Sequence, residues 1–387
     1  MAVLDVSPPA CLDNPEIELF RDSVARFFER EVPAERVERW RTNGQVDDEI
    51  WRQAGESGIL GVATPEEYGG AGGDFRHDVV ILQEGVRHGI EGFAIGLHNV
   101  IVMPYVLLHG TDEQKERWLP QMCAGGYISA IAMSEPGAGS DLQAIRTSAV
   151  KDGDGYRING SKTFISNGQV SNFIVVVAKT DPAQGSRGIS LFVVETDKVN
   201  GFRRGKKLDK IGLKAQDTSE LFFDDVWVPQ ENLLGGEEGK GFAQLMTELP
   251  KERLLMAIEG VVVMEKAISG TVEYTRDRKA FGQPIFDFQN SQFKLAECKA
   301  KATVAAVFVN DCIEKALAGQ LDNAMSAIAK MWVTDTECEI VDECLQLHGG
   351  YGYINEYPIA RMYSNSRIQR IYGGSNEIMK VLIARTL

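Results

Sequence analysis

Apolar residues recur at helical spacing near both ends of the chain and at strand spacing in between. Asn14-Pro15 is a helix-start signal, and Ile17, Phe20, Val24, Phe27 and Phe28 follow it at intervals of three, four and seven. Thr111 and Gln114 have the spacing of a capping box ahead of Trp118 and Leu119. From about residue 124 the period shortens. Phe173–Val177, Ile189–Val194 and Leu221–Val228 read as strands, with turn signals at Asp154-Gly155, Asn159-Gly160 and Asn167-Gly168. From about residue 240 the helical period returns. Leu254, Leu255, Ile258, Val261, Val262, Met264 and Ile268 form one stripe. Further helices are predicted near 290–318, 323–347, 358–369 and 375–385. The order is helical, β, helical. It predicts an α+β chain of three domains at 1–123, 124–235 and 236–387: helices, then a barrel or sandwich, then a helical bundle.

Size agrees with that division, since 387 residues exceed one ordinary core. The formal charge of −14 argues against a nucleic-acid surface. No uncharged apolar run reaches the length of a membrane span. Met1–Pro9 carries no basic residue and no apolar block, so neither a secretory nor a mitochondrial leader is expected there. Six cysteines without CxxC spacing and five scattered histidines predict neither a structural metal site nor a disulfide framework. A reduced thiol set in a cytoplasmic protein is the expectation. His98 and His109 sit among apolar residues and read as satisfied buried side chains. Arg203, Arg204, Lys206, Lys207 and Lys210 read as a solvated loop.

Glycine is the skewed count, 39 of 387 against a usual ~7%. GGEEGKG at 235–241 is read as a linker, because its two glutamates would oppose a phosphate. Other glycines fall in segments that expose backbone. Met133–Asp141 offers bare N–H groups to a flat ligand or a phosphate, and a tight structural turn explains it equally well. Lys162–Gly168 ends in an Asn-Gly turn. Gln346–Gly352 and Arg370–Glu377 each end or follow a helix, where anions bind well.

Taken together, the motifs MSEPGAGSDL (133–142), KTFISNG (162–168), RKAFGQPI (278–285), QLHGGYGY (346–353) and IYGGSNEIM (371–379) resemble the acyl-CoA dehydrogenase family along essentially the whole chain. KLDKIGLKAQDTSELFFDDVWVP (207–229) and LPKERLL (249–255) are most similar to its long-chain branch. The resemblance implies an N-terminal helical domain, a middle β domain and a C-terminal four-helix domain. It also implies bound FAD, a homotetramer, and an electron-transfer flavoprotein as partner. The implied reaction converts an acyl-CoA to a trans-2-enoyl-CoA, with a carboxylate in a dry pocket removing the α-proton.

The family holds that carboxylate at one of two positions. One of them is Gly373 here, which has no side chain. The other is Glu252, so the resemblance makes Glu252 the base. Pro250 marks a helix start or kink just before it. By itself Glu252 reads as an acid in a first helical turn, and Glu259, one heptad on, reads as a surface or interhelix pair.

The same resemblance implies FAD contacts at Ile131, Met133, Ser134, Gly139, Ser140, Phe164, Ile165, Ser166, Arg278, Phe281, Gln289, Gln346, Leu347, Gly349, Gly350, Ser375 and Glu377. Those from Arg278, Phe281 and Gln346–Gly350 would reach across a subunit interface. It implies substrate contacts at Ser140, Leu249, Arg253, Tyr372 and Gly374. Phe164 stands where many members have tryptophan. An oxidase of the same fold and a non-catalytic flavin-binding relative are the competing readings. Long-chain, medium-chain, methyl-branched and terpenoid acyl groups all remain open.

Overall fold

The computed structural model describes Val3–Leu387; Met1 and Ala2, part of the segment weighed above as a leader, lie outside the described residues. Six helices come first: α1 (Pro15–Glu31), α2 (Ala34–Asn43), α3 (Glu49–Glu56), α4 (Phe75–Arg87), α5 (Met103–His109) and α6 (Asp112–Cys123). Asn14 Oδ1 accepts from Ile17 N–H at 3.0 Å and starts α1. The Thr111–Gln114 capping box starts α6 as the spacing predicts. Residues Leu97–Val102 make a π-helical turn before α5.

Seven strands follow: β1 (Ser129–Ala132), β2 (Ser148–Asp152), β3 (Gly155–Ser166), β4 (Phe173–Lys179), β5 (Ile189–Glu195), β6 (Phe202–Lys207) and β7 (Thr218–Pro229). Their order is β1-β4-β2-β3-β7-β6, with β5 also paired to β4. β4 runs parallel to β1 and antiparallel to β5. Its alternation divides two cores. Phe173, Val175 and Val177 pack with Trp118, Leu119 and Met122 of α6, whereas Ile174, Val176 and Ala178 pack inside the β structure with Ile158, Leu221 and Val226. The last five helices are α7 (Gly241–Asp277), α8 (Gln289–Leu317), α9 (Asn323–His348), α10 (Pro358–Ser366) and α11 (Asn376–Ala384).

Two compact units emerge: Ser23–Ile81 with Ile90–Leu249, and Met1–Asp22 with Leu82–Gly89 and Pro250–Leu387. The first holds the seven-stranded sheet. The second holds α8 to α11 and most of α7, with α9 packed on α8, α10 and α11. No described helix is long and apolar enough to cross a membrane.

Three local expectations are corrected. Asn159-Gly160 is not a turn but lies inside β3, at a register shift against β7. The Asn159 amide exchanges hydrogen bonds with Asp225, and a Cβ on Gly160 would sit 2.3 Å from Thr147 Oγ1. Residues 203–207 are not a free loop but edge strand β6. Arg203 lies over the Phe222 ring at 4.1 Å, and Arg204 donates to Ser171 O at 2.7 Å. Cations suit a strand with one open edge. Pro250 does not start a helix. It lies inside α7, whose first residue is Gly241.

Candidate functional site

In the β-bearing unit, two of the sequence segments are tied together by one buried ion pair. Lys162, at the middle of β3, is fully enclosed and donates to Glu135 Oε1 at 2.9 Å and to Met133 O at 3.0 Å. Glu135 also accepts from the N–H groups of Arg146 (2.6 Å) and Thr147 (2.9 Å). Burial pushes the Lys162 ammonium down to about 8, against the pull of Glu135. Burial works to raise the Glu135 carboxyl, but Lys162 and the donated hydrogen bonds hold it below the usual range. Thr163 N–H donates to Ser134 O at 3.0 Å. Met133-Ser134 and Thr163–Ser166 therefore form one edge. Phe164 stands out from it, 70% exposed at φ 60°, while Ile165 is buried. Gly137 and Gly139 face open space, and Gly139 and Ser140 are exposed. Ile131 packs partly on the helical core, and Leu249 is buried.

The pair Glu135–Lys162 was missed as a site feature from the sequence. Its signal was a single lysine within a strand, two residues before the Phe164-Ile165 pair. His98 is a satisfied core side chain as expected, bonded to Ser129 Oγ at 2.8 Å and Met122 O at 3.1 Å. His109 meets Glu248 Oε1 at 3.2 Å.

In the helical unit, Glu252 and Arg253 are both buried on α7. Because α7 begins at Gly241, Glu252 is not in a first turn, and capping does not explain it. Arg253 donates to Asn323 Oδ1 at 3.2 Å, while its buried Nε has no partner. Burial pushes the guanidinium below its usual value, and neighbouring Glu252 opposes that. Gly373 has φ 62°, and a Cβ there would lie 2.1 Å from Met256 Cε. Met256 is one turn beyond Glu252 and shares its face. The glycine turn thus lies against the side of α7 that carries Glu252. Fully buried Lys330 of α9 holds that turn, donating to Gly374 O and Asn376 Oδ1, both at 2.8 Å. It is a second positioning lysine that the sequence reading missed, visible only as one charge in Ile328–Val333. Ser375 precedes α11, and exposed Glu377 lies in its first turn. The Glu377 carboxyl is held low first by its own backbone N–H, then by the Ser375 hydroxyl.

A separate groove of about 700 Å³ in the same unit is lined by Arg278, Gln346, Leu347, His348, Gly349 and Gly350, with Tyr274 and Tyr351. Tyr274 stacks on His348 at 4.2 Å, and the Arg278 guanidinium lies 5.7 Å from the Tyr351 ring centroid. Gly349 has φ 59°, and a Cβ on it or on Gly350 would meet nothing. Phe281 is almost wholly exposed at φ 51°. Gln289 begins α8 and does not line this groove. Glu259 corrects its expectation: it is no surface ion pair. Its interhelix neighbour is another acid, Glu337 of α9.

A guanidinium, an amide and bare main chain in a groove suit a pyrophosphate, and an exposed aromatic wall suits a flat ring. The residues present therefore fit a flavin dinucleotide. Comparison with known proteins agrees. Residues 14–126, 130–226 and 239–387 match family models described as acyl-CoA dehydrogenase N-terminal, middle and C-terminal domains. The chain belongs to the acyl-CoA dehydrogenase family, a family of FAD-dependent oxidoreductases. It is 48% identical to the long-chain specific acyl-CoA dehydrogenase of Sus scrofa mitochondria over 97% of this chain and 87% of that protein. An acyl-CoA dehydrogenase structure from Geobacillus kaustophilus superposes with a TM-score of 0.94 at 47% identity, covering 96% of this chain and 98% of that one. A glutaryl-CoA dehydrogenase from Mycobacterium smegmatis in complex with FADH2 has a TM-score of 0.90 at 26% identity, covering 100% and 97%.

Proposed function

We propose that this protein removes two hydrogens from the α and β carbons of an acyl-CoA thioester, with Glu252 taking the α-proton. One observation carries the assignment. Glu252 is buried on the face of α7 where Met256 fills the only space a side chain at 373 would need. Position 373 therefore supplies no carboxylate to compete with Glu252. Bound FAD would supply the acceptor for the β-hydride, giving a trans-2-enoyl-CoA.

The other residues take supporting roles. Met133, Ser134 and Phe164–Ser166 hold the flavin ring, and Lys162 and Glu135 fix their backbone. Arg278, Phe281, Gln346, Leu347, Gly349 and Gly350 hold the dinucleotide of a neighbouring subunit, with Ile131, Gly139, Gln289, Ser375 and Glu377 as further contacts. Arg253, Ser140 and Leu249 bind the CoA ester, and Tyr372 and Gly374 line the acyl site. A homotetramer passing electrons to an electron-transfer flavoprotein belongs to the same proposal, and the family resemblance supports it; a cytoplasmic location is proposed with it on the six free cysteines alone.

The test is anaerobic titration of the yellow holoenzyme with acyl-CoAs, following the oxidised flavin band. Wild type should bleach. Glu252→Gln should retain FAD and not bleach; normal bleaching by that variant would refute the assignment.

A further inference from the structure

Glu337 is the most anomalous side chain in the helical unit. It is 1% exposed, and neither carboxylate oxygen makes a hydrogen bond of proper geometry; the Ser366 hydroxyl is the nearby donor. Its Oε2 lies against α7, 2.9 Å from where a Cβ on Gly260 would be. Glu259 is the residue before that glycine. Gln369 donates to Glu259 and accepts from Tyr372 Oη at 3.0 Å. Burial pushes Glu259 up to about 7. Burial, reinforced by the charge of Glu259, pushes Glu337 up to about 8. Tyr372 is raised well above its usual value by burial and by both acids.

This cluster is placed with respect to the reacting end of the site. Glu259 is seven residues beyond Glu252 on one helix, on nearly the same face and about 10 Å along the axis. Tyr372 adjoins Gly373, whose place is set by Met256 between the two glutamates in sequence. Glu259, Tyr372, Gly373 and Gly374 all keep partial exposure, so this side of the cluster is within reach of a bound molecule, while Glu337 and Gln369 are buried behind it. A saturated acyl tail entering there has no donor to give, so the carboxyl groups would gain no partner in place of the water it displaces. A tail carrying a donor would pair them.

We propose that Glu259 and Glu337, with Tyr372 and Gln369, form a polar end to the acyl site. They select an acyl group that bears a hydrogen-bond donor, a hydroxyl or an amine, about 10 Å from the carbon that loses its proton. This rests on Glu252 being the base.

The test uses the FAD-loaded enzyme. Octanoyl-, decanoyl- and dodecanoyl-CoA are titrated anaerobically against their ω-hydroxy and ω-amino counterparts, reading flavin bleaching. At one chain length the donor-bearing ester should bind about tenfold tighter than the plain one. The hydroxy and amino arms tell which donor is taken. Glu337→Leu and Glu259→Val, which remove the acceptor oxygens, should each bring that ratio toward unity while FAD stays bound. Plain esters that bleach and bind as tightly as every functionalised one would overturn the inference and leave the dehydrogenase reading standing. Bleaching by none of the esters would overturn both.

Discussion

Replacing Glu337 by glutamine keeps the side chain's shape and removes its proton equilibrium. The consequence for stability follows from burial. Folding moves this carboxyl from 4.5 to about 8. Between those values the unfolded chain releases the proton and the native chain keeps it, so the native state binds more protons and stability falls as pH rises. For a carboxyl moved from 4.5 to about 8, the cost is under ~1 kcal/mol at pH 5 and ~4 kcal/mol at pH 8. Glutamine is neutral throughout. Near pH 5 the variant should match wild type. By pH 8 it should be more stable by ~3 kcal/mol. Urea unfolding of the holoenzyme, at fixed protein and FAD concentration and read by tryptophan and flavin fluorescence, measures both proteins at each pH. An offset between them that does not change with pH would refute the reasoning. So would a glutamine variant that is the weaker protein at pH 8.

Two further outcomes are expected. Lys162→Met leaves Glu135 buried without its cation; it should lose ~3–5 kcal/mol of stability and release FAD faster, measured by urea unfolding and by dialysis of the yellow protein. Gly373→Ala places a Cβ at φ 62° against the Met256 methyl; it should cost ~1–2 kcal/mol for the left-handed backbone, and adding Met256→Ala should recover only the steric part of any further loss.

Much of the fold was legible because its signals are local. The alternation of Phe173 to Ala178 comes from the pleat, and both sets of residues found apolar cores. Thr111 and Gln114 close a cap within one turn of chain. The misreadings came where a distant partner decides. Asn159-Gly160 has turn chemistry, yet Asp225 and Thr147 hold it in a strand. Arg203 to Lys207 carry the charge of a loop, yet β7 offers them an edge. Pro250 reads as a boundary, but helix formation from Gly241 carries through it, because the proline lacks only one hydrogen bond of a long ladder.

The site divides in the same way. The motifs that carry the family resemblance are contiguous, so they can be read from order and spacing alone, and with them the family. Sequence by itself also ruled out a carboxylate at 373, because glycine has none. Only the tertiary structure decided that Met256 fills that space, that Lys162 and Lys330 are buried struts, and that Glu259 faces Glu337. Those pairings join residues tens of positions apart. A lone glutamate on a helix looks the same in sequence whether it meets water or another buried acid. Burial, which sets its charge and its use, is a property of the neighbours that folding brings.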